Sequence, residues 1–379
     1  MIYLDNAATS WPKAPGVAAA VAACMEELPG SVGRSSHALA VASSRRLFEI
    51  REKAASFFGL PASDRLVFTK NATEALNIVL LGSLPQHGRV LVSPLEHNAV
   101  MRPLRFLERE RGLRLDVFRL EPSGGVDLDS VAQGLALRPD LLVATAASNV
   151  DGEVLPVALL SALAHEAGVP TLVDASQLVG HGRVDFMELG ADYVAFSGHK
   201  GLLGPAGTGG LYLAPGRHPL PLIHGGTGSA SESELQPEFL PDRYEAGTHN
   251  LAALAGLEAA LLFLESEGLS TIASREAALV DHLEAGISRL PGLRILGPGH
   301  QPRRAPILSC VSDSLSLGDI ARGLDEAGVA VRMGLQCAPA AHRHLGSYTG
   351  GGSLRLSPGA FTTFADIDGC LAVLEEVLS

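Results

Sequence analysis

Cysteine is scarce: Cys24, Cys310, Cys337 and Cys370 are the four in a chain of 379 residues. So few in so long a chain do not form a disulfide framework, and no two of them have metal-ligand spacing. Basic residues are also in short supply. Lys and Arg total 29 against 41 Asp and Glu, a formal net charge of −12. No clustered basic run appears, which argues against a nucleic-acid surface. No apolar run is long enough to span a bilayer. The opening MIYLDNAATSWPK lacks the charged head and apolar core of a secretory signal. Internal repeats and low-complexity segments are missing as well. These absences point to a soluble cytoplasmic protein with reduced thiols, bound to neither nucleic acid nor membrane.

What is present is apolar material. The chain is 46% hydrophobic and 18% charged, enough for a large core and more than one domain. From about residue 44 helix and strand signals alternate. Ser44 to Phe58 carries Leu47, Ile50, Ala54, Phe57 and Phe58 near helical spacing. Short apolar runs follow at Leu66–Phe68, Val90–Val92, Leu141–Ala144, Thr171–Val173 and Tyr193–Phe196, with helical stretches between most of them. This pattern predicts a mainly parallel sheet covered on both faces, with ligands at the carboxyl ends of its strands. After Gly247 the pattern changes. Leu251 to Leu264 reads as a long buried helix, and shorter strands and helices then suggest a smaller α+β domain. The expected organisation is an N-terminal segment (1–15) near the active site, a large α/β domain (16–250) and a small α+β domain (251–379).

The chemistry-bearing residues fall at the strand ends. Lys200, in SGHKGLLGPAGTGG, follows the strand Tyr193–Phe196, and Asp174, in VDASQ, ends the strand Thr171–Val173. A lysine can form a Schiff base with an aldehyde cofactor, and an aspartate can keep a pyridinium nitrogen charged. That pair points to pyridoxal 5'-phosphate. A solvated loop lysine is the bland alternative, made weak by the apolar flanks. For Asp174 the alternative is a helix cap. TKNATEALN joins a strand to a helix and places Thr73 where free N–H groups would meet a phosphate. Taken alone, capping by Asn71 or Thr73 is the simpler account. His97, in EHNAV, could stack on a cofactor ring and move protons, or be an idle loop histidine. Asn149, in ASNVDG, follows the strand Leu141–Ala144, and its amide could hydrogen-bond the ring hydroxyl; Gln177, one turn after Asp174, could be an ordinary surface amide.

Taken in order, YLDNAATSWPK, TKNATEALN, EHNAV, ASNVDG, VDASQ, SGHKG and EAGTHN resemble the class V aminotransferase-fold enzymes. Within them the chain is most similar to cysteine desulfurases and selenocysteine lyases of the SufS-like, type II branch, over essentially its whole length. The resemblance implies the pyridoxal-phosphate transferase fold (fold type I, aspartate aminotransferase-like): a mainly parallel central sheet and a smaller α+β C-terminal domain. It implies that Lys200 holds the coenzyme covalently, that Asp174 pairs with its pyridine nitrogen and that His97 stacks on its ring. Asn149 and Gln177 would contact the ring oxygen or substrate. Thr73, Ser197 and His199 would hold the phosphate. Thr248, in EAGTHN, would reach the phosphate of a neighbouring subunit, which implies a homodimer. Arg355, in GSLRLSP, would bind the substrate carboxylate, and an Arg fork suits that task. His37 and Asn6 would lie near the substrate.

By the same resemblance Cys337, in VRMGLQCAPAAH, is the mobile-loop nucleophile that takes sulfur or selenium from the substrate as a persulfide. Such a nucleophile must be a reachable thiolate. A buried small hydrophobe is the alternative. Two positions depart from the family pattern: Gln336 stands where a histidine commonly precedes the cysteine, and Ala72 where a threonine often precedes the phosphate threonine. The loop also lacks the long insertion of type I desulfurases. The expected reaction is L-cysteine to L-alanine with sulfur left on Cys337. Selenocysteine lyase activity on L-selenocysteine is the nearest alternative, followed by another reaction on the same fold, and a non-catalytic scaffold is the reading from a different class. A separate sulfur-acceptor protein is the partner that such enzymes often need.

Overall fold

A computed structural model describes residues 1–33, 35–297 and 304–379. The chain opens with a short strand, β1 (Ile2–Tyr3), and two helices, α1 (Val17–Glu27) and α2 (Ala38–Phe57). Strands and helices then alternate: β2 (Leu66–Thr69), α3 (Ala72–Ser83), β3 (Arg89–Val92), α4 (Asn98–Arg111), β4 (Arg114–Val117), α5 (Leu128–Ala136), β5 (Leu141–Thr145), α6 (Val157–Glu166), β6 (Thr171–Asp174), α7 (Phe186–Leu189), β7 (Tyr193–Ser197) and β8 (Gly209–Leu213). The remainder comprises α8 (Leu251–Glu267), α9 (Leu269–Ile287), β9 (Leu293–Ile295), β10 (Leu308–Ser312), α10 (Leu317–Glu326), β11 (Val329–Ala330), β12 (Arg332–Gly334), α11 (Pro339–His344), β13 (Ser353–Leu356) and α12 (Phe364–Leu378).

The large sheet has seven strands in the order β2-β8-β7-β6-β5-β3-β4. From β7 through β4 every pairing is parallel, and β8 runs antiparallel between β2 and β7. LLVAT, TLVD and YVAFS are buried at every position, as strands covered on both faces must be. Helices α3 and α4 close one face, with Leu76, Val79, Val100 and Leu104 in the core beneath them. The other face carries a larger core that includes Leu142, Val194, Phe58 and Phe186. Parallel strands bring the ends of β5, β6 and β7 to one edge, where Thr145 lies opposite Asp174 and Asp174 opposite Ala195.

A second, antiparallel sheet has the order β12-β13-β10-β9. It shares a separate core with α9, α10 and α12, built from Leu279, Leu308, Ile320, Leu354, Ile367 and Leu374. Helix α8, which opens the C-terminal part by sequence, buries Leu254, Leu257, Leu261 and Leu264 in the core of the large sheet instead. It lies against α1 and α2. A helix this apolar on all sides needs cover all round. Gly256 makes the close approach possible, since a Cβ there would meet Pro205 Cγ at 2.7 Å and Val21 Cγ2 at 2.8 Å. The N-terminal strand crosses to the smaller body, where β1 pairs in parallel with β11 and Asp5 bridges to Ser357. Among the described residues no helix is long and apolar enough to cross a membrane.

Candidate active site

Asp174 is the last residue of β6 and is buried; its Oδ1 accepts the Ser176 N–H at 3.0 Å. Lys200 follows the neighbouring strand β7 after a tight turn in which the Gly204 N–H donates to the Gly198 carbonyl at 2.9 Å. Gly201 is needed next to it: a Cβ there would stand 2.4 Å from the Val179 carbonyl oxygen. The Lys200 turn therefore packs directly on the turn that follows Asp174. Burial brings the Lys200 ammonium down to about 8; Arg355 and Arg332 push the same way, and Asp174 and Cys337 oppose them. Residues far apart in sequence thus lie within electrostatic reach of one amine. At neutral pH that amine has a substantial neutral, nucleophilic fraction.

His97 caps α4, its Nδ1 accepting the Ala99 N–H at 3.0 Å. Burial, and then Lys200, push the ring down to about 4. It is therefore neutral at pH 7, with its proton on Nε2 because Nδ1 is an acceptor. The residue before it, Glu96, is fully buried.

The first turn of α3 faces the end of β7. Ser197 Oγ accepts the Ala72 N–H at 3.1 Å, and Asn71 Oδ1 caps the helix through the Glu74 N–H at 3.0 Å. Capping at Asn71 is thus present, and Thr73 remains exposed on the same turn. His199 bonds Thr9 Oγ1 through Nδ1 at 3.1 Å, and burial first, then Lys200, bring its ring down to about 4. The N-terminal segment straps onto this turn. Lys13 Nζ donates to the His199 carbonyl at 2.9 Å, to Ser10 Oγ at 3.0 Å and to Thr9 Oγ1 at 3.2 Å. Gln177 joins the same strap by donating to the Ala7 carbonyl at 2.9 Å, while its Oε1 is buried without a partner.

Cys337 sits in the short turn between β12 and α11 and is exposed, whereas Cys24, Cys310 and Cys370 are buried. Burial pushes the Cys310 and Cys370 thiols up to about 12. Arg332 Nη2 lies 3.7 Å from Cys337 Sγ. Gln336 and Cys337 have φ of 41° and 57°, a conformation costing non-glycine residues roughly 1–3 kcal/mol each. The neighbours hold it in place. Asn149 Nδ2 donates to the Gln336 carbonyl at 2.7 Å, and the Asn98 N–H to the Cys337 carbonyl at 2.7 Å. The Gln336 side chain points inward to the Ser353 carbonyl, Ser353 Oγ and His342 Nε2. Where the family pattern commonly has a histidine, this glutamine is a buried anchor; the buried imidazole of His342 stands behind it.

Arg355, in the middle of β13, is 1% exposed. Its Nη2 donates to Asp5 Oδ1 at 2.8 Å and its Nη1 to the Asn149 carbonyl at 2.9 Å, leaving Nε without a partner among the described residues. Asn6 is nearly consumed by backbone: Nδ2 donates to the Ser357 carbonyl at 3.0 Å and Oδ1 accepts the Trp11 N–H at 3.2 Å. Two predicted residues stand outside the cluster within the single chain. His37 is exposed and caps α2 through the Ala40 N–H, and Thr248 is exposed just before α8. The sequence reading also missed Glu96, Lys13, Asp5 and Arg332. Each is a charged residue inside or beside a quoted motif, and that adjacency was the available signal.

The chain matches aminotransferase class-V over residues 2–369. It belongs to the class-V aminotransferase family. This class-V chain is 36% identical over 383 residues to a Methanothermobacter thermautotrophicus protein named probable cysteine desulfurase, covering 99% of this chain and 94% of that one. It is 33% identical to a Streptomyces coelicolor protein of the same name, covering 100% and 92%. Among solved structures, the apo cysteine desulfurase of Thermococcus onnurineus superposes with a TM-score of 0.92 at 31% identity, covering 100% of this chain and 94% of that one. The fold is that of the family: a mainly parallel central sheet flanked by helices.

Proposed function

We propose that this chain is a pyridoxal-phosphate-dependent cysteine desulfurase that removes sulfur from L-cysteine, releases L-alanine and keeps the sulfur on Cys337. The observation that carries the reading is the half-buried Lys200 amine, within electrostatic reach of Asp174, Arg355 and the one exposed cysteine among the four.

The residues present fit the coenzyme. An amine brought down to about 8 suits an aldehyde, a buried carboxylate at a strand end suits a pyridinium, and the N-terminus of the 12-residue α3 with Ser197 suits a phosphate. Gln177 Oε1 and Ser176 Oγ, both close in sequence to Asp174, are buried polar atoms without partners, as a polar ligand beside them would explain. When bound, pyridoxal phosphate supplies an electron sink for carbanion chemistry at the substrate α-carbon.

The chain's residues divide the remaining work. Lys200 would hold the coenzyme, and its amine would serve as the base for the substrate α-proton. Asp174 would keep the ring nitrogen charged. Neutral His97 offers a proton at Nε2. Arg355 fixes the substrate carboxylate, with its Nε free and its contact to Asp5 available for exchange. The Cys337 thiolate attacks the substrate sulfur: an S–S bond forms, the C–S bond breaks, and a persulfide stays on the enzyme. Thr73, Ser197 and His199 would hold the phosphate, and Asn149 and Gln177 would line the ring side; Asn6 is spent on the Ser357 carbonyl and the Trp11 N–H, and His37 lies outside the cluster of one chain.

A homodimer completes this reading. Leu220, Leu235 and Phe239 are exposed in the segment before Thr248, at 67%, 82% and 52%. Exposed apolar side chains in this segment fit cover by a second copy, which would take Thr248 at its phosphate site. A sulfur-acceptor protein would then unload Cys337.

The test is product analysis with the purified enzyme and L-cysteine as substrate. Wild type should give alanine and, with reductant, sulfide. Lys200→Ala should lower turnover by about 10³-fold or more and abolish the near-visible absorption of the lysine-bound coenzyme. Undiminished turnover in that variant would refute the reading. L-Selenocysteine in a parallel assay decides the chalcogen preference.

A further inference from the structure

Glu96 has no role in the scheme above, yet it is 0% exposed at the base of the site. It lies in the loop leaving β3, directly before His97. Its Oε1 accepts two hydrogen bonds, from Ser93 Oγ at 2.5 Å and from the Thr145 N–H at 2.7 Å. Thr145 ends β5 and is the register neighbour of Asp174 on β6. One carboxyl therefore ties the His97 loop to the strand beside Asp174. Its other oxygen, Oε2, is buried with no partner among the described residues.

No lysine, arginine or histidine forms an ion pair with Glu96 among the described residues. The groups facing it are Ser93 on its own loop, Thr145 from β5 and the carboxyl of Asp174 from β6. A bare carboxylate oxygen buried beside a second carboxylate has nothing to offset its desolvation. Repulsion from Asp174 adds to the cost of burying a charge on Glu96. Asp174 must be the ionised one if it is to pair with a pyridinium.

We propose that Glu96 is a positioning residue kept as a neutral acid, clamping the His97 loop to the end of β5 while leaving Asp174 as the single negative charge beneath the site. The inference rests on the function proposed above for the task of Asp174. Burial, with Asp174 adding to it, raises the Glu96 carboxyl to about 8. The proton sits on Oε2, because Oε1 is engaged by two donors. A charged Glu96 would compete with Asp174 for a cation; a neutral acid supplies the acceptor without the charge.

The experiment compares Glu96→Gln and Glu96→Ala with wild type as full-length purified proteins. Glutamine keeps the acceptor and the neutral charge, so kcat/KM for L-cysteine should stay within about 3-fold of wild type. Alanine removes the clamp and should cost about 30-fold or more, of the order of two lost hydrogen bonds at a buried site. The second readout is denaturation of wild type and Glu96→Gln between pH 5 and 8.5. A carboxyl whose folded pKa lies above its unfolded value binds more protons when folded. Wild type should therefore lose stability relative to Glu96→Gln as pH rises toward 8, by up to about tenfold in the unfolding constant per pH unit. An ionised, merely structural Glu96 gives no such slope. Glutamine failing as badly as alanine, or a pH-independent stability difference, overturns the proposal. An inactive wild type would sink the desulfurase reading while leaving the stability slope intact, so the two failures are distinguishable.

Discussion

Cys337→Ala should abolish alanine release from L-cysteine, with a fall of about 10³-fold or more, while the protein stays folded and keeps its coenzyme absorption. A sulfur acceptor must be a thiolate that a substrate can reach. Cys310 and Cys370 are buried in the core of the smaller body, with thiols pushed up to about 12, and Cys24 is also buried, its thiol raised by desolvation. Cys337 is exposed, with a guanidinium 3.7 Å from its sulfur. The turn that carries it is held from both sides, by Asn149 and Asn98 at the backbone and by the inward side chain of Gln336. The check is a single-turnover assay of alanine together with the mass of the intact protein. Wild type should gain the mass of sulfur and Cys337→Ala should gain none. Alanine release within tenfold of wild type would remove the persulfide step.

Glu245→Ala should destabilise the fold by about 3–5 kcal/mol, as expected when one partner of a buried pair is removed. Arg51 from α2 meets Glu245 as a two-pronged fork, Nη1 to Oε1 at 2.6 Å and Nη2 to Oε2 at 2.7 Å, with side-chain exposures of 5% and 4%. Glu245 also accepts the Phe68 N–H of β2 at 2.6 Å and bonds His249 Nε2 at 2.7 Å. One carboxylate thus joins a helix, a strand of the large sheet and the segment that carries Thr248. Arg51, with His249 helping, holds the Glu245 carboxyl at about 2 despite burial. A carboxyl with a depressed folded pKa stabilises above its unfolded value near 4.5, and that contribution disappears as pH falls from there toward 2. Denaturant titration at pH 7 and pH 3 checks both points: the gap between wild type and Glu245→Ala should shrink at the lower pH. The double variant Arg51→Met, Glu245→Leu should recover much of the loss, because no bare charge remains buried. A loss under 1 kcal/mol for the single variant would show that the pair is not holding these elements together.

Much of the site was legible because its chemistry sits at fixed places in a strand-helix pattern. The apolar runs before Asp174 and Lys200 are strands β6 and β7, and their parallel pairing puts both residues at one edge. The exposed Cys337 followed from its small, turn-prone flanks. Other features had no one-dimensional trace. The buried apolar helix α8 follows a clear change of pattern, yet its cover comes from α1 and α2, more than 200 residues earlier. Asn6 read as a substrate contact, but folding spends its amide on Ser357 and Trp11. Glu96 carried no reading from the sequence; only folding encloses it between the loop after β3 and the end of β5.

Residue type and order alone showed the strand-helix alternation and the placing of Lys200 and Asp174 at strand ends, because period and turn composition are local properties; the reading of His97, Cys337 and Arg355 as one set with them came from the family resemblance. Tertiary packing decided the charge states and the attachments: which amine is lowered, which carboxyl stays neutral, which arginine is already held by an aspartate. Those depend on what surrounds each group once water has been removed, and the surrounding groups come from distant parts of the chain.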